Sequence, residues 1–411
     1  MVLLGLLTIG AYGLVLYGFA AFVDPIREAE GWSTGAISAA FSVSTLGGGV
    51  AALWSGRWLD RVGPRRVILT GLVAGSVLLV LASYAAAAWQ LIVAWGLGGA
   101  IIGAGLFYNV TMPVTARAVE PAVRPRAFTW LTVMGGLAAP ISFPVAGLLV
   151  EQFGWRGAVR GMVVGMAACA IPAIIAVGRG PQPLDVSMPI ATARGAHPEA
   201  PVDVAVASAG PVGFGSIAEA LADNSVRRWL VACCMAMAGL VAVQVHHVGA
   251  IEASGVSLAT ATSLASIRGL LSLPGRGAAA AVTARIGLVT ALRLVYVVMA
   301  LGTLALVAAG TIAWVWVFVI LNGAAFGSVA PLQGLYATEL YGTARIGSLM
   351  GLQSMLLGAA GAAGPFLLGL TVDATGGYAT LLIAATVLQV LAMMTFRAPV
   401  SERVAARATT R

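Results

Sequence analysis

Residues 56–66 read Gly56-Arg57-Trp58-Leu59-Asp60-Arg61-Val62-Gly63-Pro64-Arg65-Arg66, between apolar runs at 34–56 and 66–87. Four arginines and an aspartate in so short a stretch do not rest in hydrocarbon. The stretch therefore reads as a water-facing turn joining two membrane spans. Gly56 and Gly63 permit close packing and a turn. Asp60 has two kinds of partner within reach, a neighbouring arginine or the positive end of a helix. A simpler reading takes the charges as topology signals alone, but it leaves Asp60 and both glycines unexplained.

The rest of the chain has the same alternation of apolar run and short charged turn. Hydrophobic residues make up 60% of the chain and charged residues 9%, against roughly 25% charged in soluble domains. So few charges do not coat a water-facing surface, so lipid is the solvent for much of the chain. A span needs roughly 20 mostly apolar residues. Twelve such runs occur, at 3–24, 34–56, 66–87, 91–115, 127–150, 157–178, 228–250, 258–282, 288–309, 312–336, 346–370 and 378–396. The first is too long for a signal-peptide core and lacks a basic leader, so it is expected to stay as a helix. The predicted fold class is an all-α integral membrane protein.

All 23 basic residues are arginine, and the net charge is +8. They concentrate on one side. With a cytoplasmic N-terminus, the inward loops hold Arg57, Arg61, Arg65, Arg66, Arg117, Arg124, Arg126, Arg179, Arg194, Arg227, Arg228, Arg285, Arg293 and Arg345, plus four tail arginines from Arg397 to Arg411. The outward loops hold only Arg27, Arg156 and Arg160. This asymmetry predicts cytoplasmic termini in a multi-pass plasma-membrane protein. No basic face is interleaved with aromatics, which argues against nucleic acid as a partner. Cys169, Cys233 and Cys234 lie inside apolar runs without metal-ligand spacing and read as small core residues. No metal and no cofactor is expected.

Residues 179–226 break the pattern with six of the 18 prolines and no long apolar run. They read as a cytoplasmic linker, with Ile217–Leu221 as a short interfacial helix. The linker separates a six-span bundle at 1–178 from a second at 227–397, followed by a tail at 398–411. The halves repeat. Asp60-Arg61-Val62-Gly63 recurs as Ala284-Arg285-Ile286-Gly287 at an offset of 224, and Gly147, Glu151 and Gly154 recur as Gly369, Asp373 and Gly376 at an offset of 222. Two similar halves suit alternating access, in which repeats rock about a site between them.

The 56–66 stretch resembles the signature loop of the major facilitator superfamily, and it stands between spans 2 and 3 as that signature does. The resemblance covers essentially all spans and implies the superfamily's twelve helices in two six-helix pseudo-repeats. It also implies a conformational gate at Gly56, Asp60, Arg61, Gly63, Arg65 and Arg66, with Arg117 as a partner for Asp60. Scattered motifs resemble one branch, the monocarboxylate and oxalate–formate porters. These are Tyr17-Gly18-Phe19 through Glu30-Gly31-Trp32-Ser33, Phe153-Gly154-Trp155-Arg156, and Gly361-Ala362-Ala363-Gly364-Pro365.

Two arginines, Arg268 and Arg276, interrupt run 8. Burying either costs at least a few kcal/mol, so each needs a wet cavity or a counter-charge. No Asp or Glu is placed well inside a run, and an anion arriving from outside accounts for both. The branch resemblance puts its carboxylate-binding arginine at Arg276, whose guanidinium fork matches a carboxylate. The competing reading is an arginine snorkelling to the interface. Arg268 is either a second substrate contact or an arginine satisfied by the backbone. The proton-handling Asp that some branch members carry is Ser272 here. The basic residue of run 11 that oxalate exchangers use is absent, with Gln353 and Ser354 the polar residues there. Both departures favour a monoanion.

His246 and His247 end run 7 and can titrate near neutral pH. They are candidates for proton coupling or plain interfacial residues. As neighbours on a helix they diverge by about 100°, which argues against a shared metal. Tyr17, Tyr108 and Asn109 are candidate substrate donors by position, with Tyr12, Trp130 and Asn322 also polar inside runs. The expected function is secondary transport of a small organic monocarboxylate, coupled to a proton or a counter-anion. The alternative is efflux of amphipathic organic compounds. A membrane-embedded enzyme or sensor lacks any phosphate-cradling loop, metal motif or nucleophile set.

The topology is open to test. Cysteine at 375 should react with an impermeant maleimide added to intact cells, and cysteine at 195 should not. The reverse pattern would invert the orientation.

Overall fold

A computed structural model describes residues 2–120, 123–178, 224–341 and 346–396. Residues 179–223 of the linker expected at 179–226, Arg345, Arg397 and the tail at 398–411 lie outside the described residues, and 224–226 already belong to a helix. The spans are α1 (Val2–Glu30), α2 (Thr34–Val62) and α3 (Pro64–Ala82). Next come α4 (Ala88–Leu106 and Tyr108–Ala118), then α5 and α6. α5 starts as Arg124–Gly136, and its second piece belongs to a helical stretch Ala138–Ala176 that turns at Gly154 into α6. The second half holds α7 (Asn224–Glu252), α8 (Leu258–Ile286), α9 (Leu288–Val307), α10 (Ile312–Tyr341), α11 (Ile346–Thr375) and α12 (Ala379–Thr395).

Among the described residues, nine stretches are long and apolar enough to cross a bilayer on those grounds alone. One of them, Trp130–Ala176, contains two spans because of the turn at Gly154. The remaining two are α8, which carries two arginines, and the short α12. The twelve-helix expectation therefore holds.

The repeat is more exact in backbone than in sequence. Gly31 and Gly255, 224 positions apart, both end a span with positive φ, 69° and 93°. Ser33 and Ser257 then cap α2 and α8 by accepting from Ala36 N at 3.2 Å and Thr260 N at 3.3 Å. Gly63 and Gly287 turn the chain at φ 82° and 78° where α2 and α8 end. Every positive-φ residue described is glycine, as the steric cost of that region for a Cβ requires.

Within each half the spans pack in the same pairs: α2 on α4 and α3 on α4, matched by α8 on α10 and α9 on α10. The halves meet through α2 on α11, α5 on α8 and α1 on α7. These contacts lie toward the face where Gly31 and Gly255 turn the chain. There the buried core is one cluster drawn from both halves, running from Phe22, Ile26 and Phe143 to Val248, Leu264 and Leu382. Toward the face of Gly63 and Gly287 the core separates. Trp229, Leu292, Tyr296 and Phe396 form a cluster belonging to the second half alone. Helices α2 and α11 touch at Gly35 and Gly369, yet Gly49 and Gly358 further along have nothing within 4 Å of an added Cβ. The molecule is closed at the Gly31/Gly255 face and open at the other.

Helix α8 is set against α10 by glycines. A Cβ at Gly275 would collide with Ala324 O, and one at Gly327 would collide with Ser272 O. Both obstacles are backbone, which cannot swing aside, so the two helices meet main chain to main chain. Gly327→Ala should push α10 off α8. Overpacking of this kind costs about 1–3 kcal/mol, and purified protein should melt several degrees lower. An unchanged melting point would show that the helices are less tightly apposed than the structure has them.

Candidate functional site

The cavity between the halves is lined from both. Helix α1 loosens into a π-helical stretch at Gly13–Gly18, which contains Tyr17. Helix α4 breaks at Phe107 (φ −84°, ψ −176°), and its second piece begins with Tyr108. Discontinuities of this kind are tolerated at membrane depth where they border a cavity. The break also orders the aromatics. Phe107 stacks on Tyr12 at 4.1 Å between centroids, and Tyr12 lies 5.1 Å from Tyr108. Tyr17 meets the edge of Phe143 at 5.9 Å.

The second half supplies the charge. Arg268 is 3% exposed. Its Nε donates to Asn322 Oδ1 and its Nη1 to Gln244 Oε1, each at 2.8 Å. The guanidinium also sits over the rings of Phe318 and Phe326, at 5.6 and 5.1 Å. Its hydrogen bonds are thus satisfied by neutral amides, which leave its charge in place. Asn322 passes the chain on through Nδ2 to Thr303 Oγ1 at 3.1 Å. The backbone-satisfied alternative for Arg268 is therefore replaced by a side-chain one.

Arg276, two turns further along α8, is exposed. Among the described residues it has no ion pair or hydrogen bond. It stands beside Gly136 of α5, where an added Cβ would be 3.8 Å from its Nη1, and the Tyr108 hydroxyl rests on Gly135 next door. Tyr17 is within electrostatic reach of both arginines, and Tyr108 of Arg276. Arg268, Arg276, Tyr17 and Tyr108 therefore form one group.

Asn109 departs from the expectation that it offers donors to an anion. Its Nδ2 hydrogens go to Ser55 Oγ at 2.9 Å and Ala104 O at 3.0 Å. The break at Phe107 leaves α4 carbonyls without helical partners, and Asn109 occupies one of them. Gln353, one of the two polar residues noted in run 11, donates to Cys233 Sγ at 3.6 Å and is buried. Trp130 is exposed.

The histidines are more deeply placed than the end of run 7 suggested, because α7 continues to Glu252. Both are buried, and they diverge. His246 Nε2 lies 3.2 Å from both Ser38 Oγ and Pro365 O, between α2 and α11. His247 faces the edge of Phe143 at 5.3 Å and lies 6.2 Å from Phe318. His246 thus belongs to the contact between halves, and His247 is packed between Phe143 of α5 and Phe318 of α10.

One carboxylate escaped the sequence reading. Helix α1 runs to Glu30, beyond the expected end at residue 24, and this brings Asp24 inside the fold at 5% exposure. Asp24 accepts from Tyr378 Oη at 2.6 Å, and Arg27 Nη2 lies 2.9 Å away. Its tight seat against Gly249 of α7 leaves no room for a Cβ there. The only prior signal was its short spacing to Arg27.

At the open face, Arg117 at the end of α4 pairs with Asp60 at the end of α2. The pair lies within the first half. Arg117 is 7% exposed on its side chain and Asp60 56%, so the arginine is the anchored partner.

Two helical halves closed together at one face and open at the other, with arginines and tyrosines gathered between them, fit a membrane transporter of the alternating-access type. The sequence profile described as the Major Facilitator Superfamily matches residues 4–365, and the chain belongs to that superfamily. It is a secondary transporter of that kind. No curated protein matches it by sequence. Among solved structures, a point mutant of the nucleoside transporter NupG is 13% identical, with a TM-score of 0.76 over 96% of this chain and 98% of that one. A D-xylose-proton symporter is 14% identical, with a TM-score of 0.69 over 95% of each chain. A POT family transporter in complex with 5-aminolevulinic acid is 15% identical, with a TM-score of 0.69 over 95% of this chain and 94% of that one. At these identities the likeness is one of fold.

The geometry at the open face makes a kinetic prediction about Asp60, which is far from the arginine pair. Asp60→Asn should slow turnover while leaving equilibrium substrate affinity within a few-fold, apart from any population shift. Wild-type transport rates in proteoliposomes would remove Asp60 from the gate.

Proposed function

We propose that this transporter carries a small organic monocarboxylate, with Arg276 as its anchor. The observation that supports this is an exposed guanidinium at the cavity with no protein partner among the described residues, next to the Tyr108 hydroxyl. A planar fork of donors with a neighbouring O–H suits a carboxylate, which accepts in its own plane along two directions. Arg268 contributes a fixed positive field from behind, because amides and ring faces hold it in place. Tyr17 is within electrostatic reach of both charges. The apolar body of the substrate would rest on Tyr12 and Phe107.

In this reading the protein sits in the plasma membrane, with the arginine-rich face and both termini cytoplasmic. In that orientation the present state opens to the cytoplasm. His246 and His247 are the candidates for a coupled proton. His246 bridges the halves, and His247 packs between Phe143 of the first half and Phe318 of the second, which supports a role for each in the rocking motion. The gate at Gly56, Asp60, Arg61, Gly63, Arg65, Arg66 and Arg117 lies at the cytoplasmic ends of α2 and α4 in this reading.

A thermal-shift screen of purified protein against carboxylates identifies the ligand, since binding to the folded state raises its melting point. Arg276→Gln should then weaken binding of that carboxylate. Loss of a charge-assisted hydrogen bond costs about 1.5–3 kcal/mol, which is roughly 10- to 150-fold in affinity. Arg276→Lys should recover only part, because the ammonium keeps the charge and loses the fork. Arg268→Gln should weaken binding less than Arg276→Gln. If the order of the two glutamine variants is reversed, Arg268 is the anchor. If neither changes affinity, the anion reading fails, and efflux of uncharged amphiphiles fits the aromatic lining better.

A further inference from the structure

The repeated triplet Gly147/Glu151/Gly154 and Gly369/Asp373/Gly376 has no part in the cavity or in the Asp60 gate. In the structure each position does the same work in both halves. Gly154 and Gly376 take φ of 66° and 71° and end α5 and α11. Gly147 faces Thr262 of α8, where a Cβ would collide with Oγ1. Gly369 faces Ser38 of α2, where a Cβ would lie 3.1 Å from Oγ. Ser38 and Thr262 are themselves 224 positions apart. The two glycines therefore let each half bring its fifth helix against the second helix of the other.

The carboxylates complete that contact. Asp373 Oδ1 accepts from Thr34 N at 2.6 Å and its Oδ2 from Gly35 N at 2.7 Å. Glu151 Oε1 accepts from Ala259 N at 3.0 Å. Gly35 and Ala259 occupy the same position in α2 and α8, 224 residues apart. Their N–H groups belong to the first turn, which no intrahelical carbonyl reaches, and a carboxylate there also meets the positive end of the helix dipole. Ser33 and Ser257 serve Ala36 and Thr260 in the same turns. Each N-terminus is thus capped partly by its own half and partly by the other. A cap within one half stabilises the fold. A cap across the halves stabilises only the state in which they touch.

We propose that Glu151 and Asp373 are a reciprocal pair of gating residues, each closing the Gly31/Gly255 face by capping the second helix of the opposite half. Opening that face breaks both caps and returns the first-turn N–H groups to water, while Glu151 and Asp373 are exposed already in the closed state. The exchange makes each latch modest in strength. Two modest latches bias the closed state without trapping it, as a carrier that must reopen requires. The paired latch follows from the fold and its repeat and is independent of the substrate.

The test uses the full-length protein in lipid nanodiscs, with Cys169, Cys233 and Cys234 replaced by alanine. Nitroxides at Ala29→Cys and Ala253→Cys report the distance across the face by pulsed electron resonance. Separately, Ser38→Cys, buried in the closed state, reports rare opening through its alkylation rate with an impermeant maleimide. Asp373→Asn and Glu151→Gln keep side-chain volume and remove charge. Losing a cap of this kind should shift the closed-to-open ratio about 2- to 25-fold. Each single variant should speed alkylation within that range, and the double variant should exceed either and show a longer distance component. Asp373→Glu and Glu151→Asp, which keep the charge, should fall between parent and neutral variants. A folded double variant that matches the parent in both alkylation and distance overturns the proposal. So does a shift from one single variant alone, since the pair would then not be reciprocal.

Discussion

A full charge inside a bilayer has to be answered from within the protein, and Arg268 shows how this chain does it. Hydrocarbon offers neither hydrogen bonds nor screening. Gln244 from α7 and Asn322 from α10 take two of the guanidinium's donors, and Phe318 and Phe326 present their ring faces. Asn322 is held in turn by Thr303 of α9, which lies 3.4 Å from Gln389 of α12. One polar chain thus ties five of the six helices in the second half. A carboxylate partner would have answered the charge more directly, but it would have cancelled it. Neutral amides satisfy the geometry and leave the field standing. On the carboxylate reading, that residual field is what a monoanion entering beside Arg276 completes.

The division of labour between the halves follows. The second half contributes charge on a helix that glycines lock against α10. The first half contributes hydroxyls and rings on helices that are interrupted where they reach the cavity, at Gly13–Gly18 and at Phe107. A rigid charge facing a more adaptable aromatic wall is a reasonable way to hold a small anion whose apolar part varies. On the carboxylate reading, specificity for the charged group and tolerance for the remainder would reside on opposite sides of the same cavity.

Much of this was legible in the residues alone. Length and apolarity marked the spans, and the offsets of 222 and 224 marked the repeat, because a duplicated fold keeps glycines where φ must be positive. The arginines of α8 stood out because their burial is costly wherever they point. Other features left no periodic or compositional trace. The break at Phe107 has neither proline nor glycine at the break itself. Asn109 reads equally well as a substrate donor and as a splice for Ala104, and only the break decides between them. Asp24 looked like a span boundary because Arg27, Glu28 and Glu30 follow it closely. In fact α1 carries these charges outward and leaves Asp24 inside. The triplet ending α5 and α11 was visible as a repeat, but its partners lie 108 and 338 or more positions away, and no local pattern encodes such a contact.

Helices α2 and α8 bring these observations into one mechanical arrangement. Each has 29 residues, roughly 43 Å at 1.5 Å per residue, longer than the roughly 30 Å hydrocarbon core. Each begins at a turn after Gly31 or Gly255 and has its first N–H groups held by a carboxylate from the opposite half. At its far end α2 carries Asp60, paired with Arg117. Along its length α8 carries Arg268 and then Arg276. A stiff rod fixed at one end converts a small change there into a larger displacement at the other. If the caps release, the far end of α2 moves relative to α11, and the arginines of α8 move relative to Tyr108 and Gly136 on the facing half. The same two helices that seal one face therefore also carry the arginines that face the aromatic wall. On the proposed reading, that shared mechanical element would link occupancy of the cavity to the state of the face, without a separate signal passing between them.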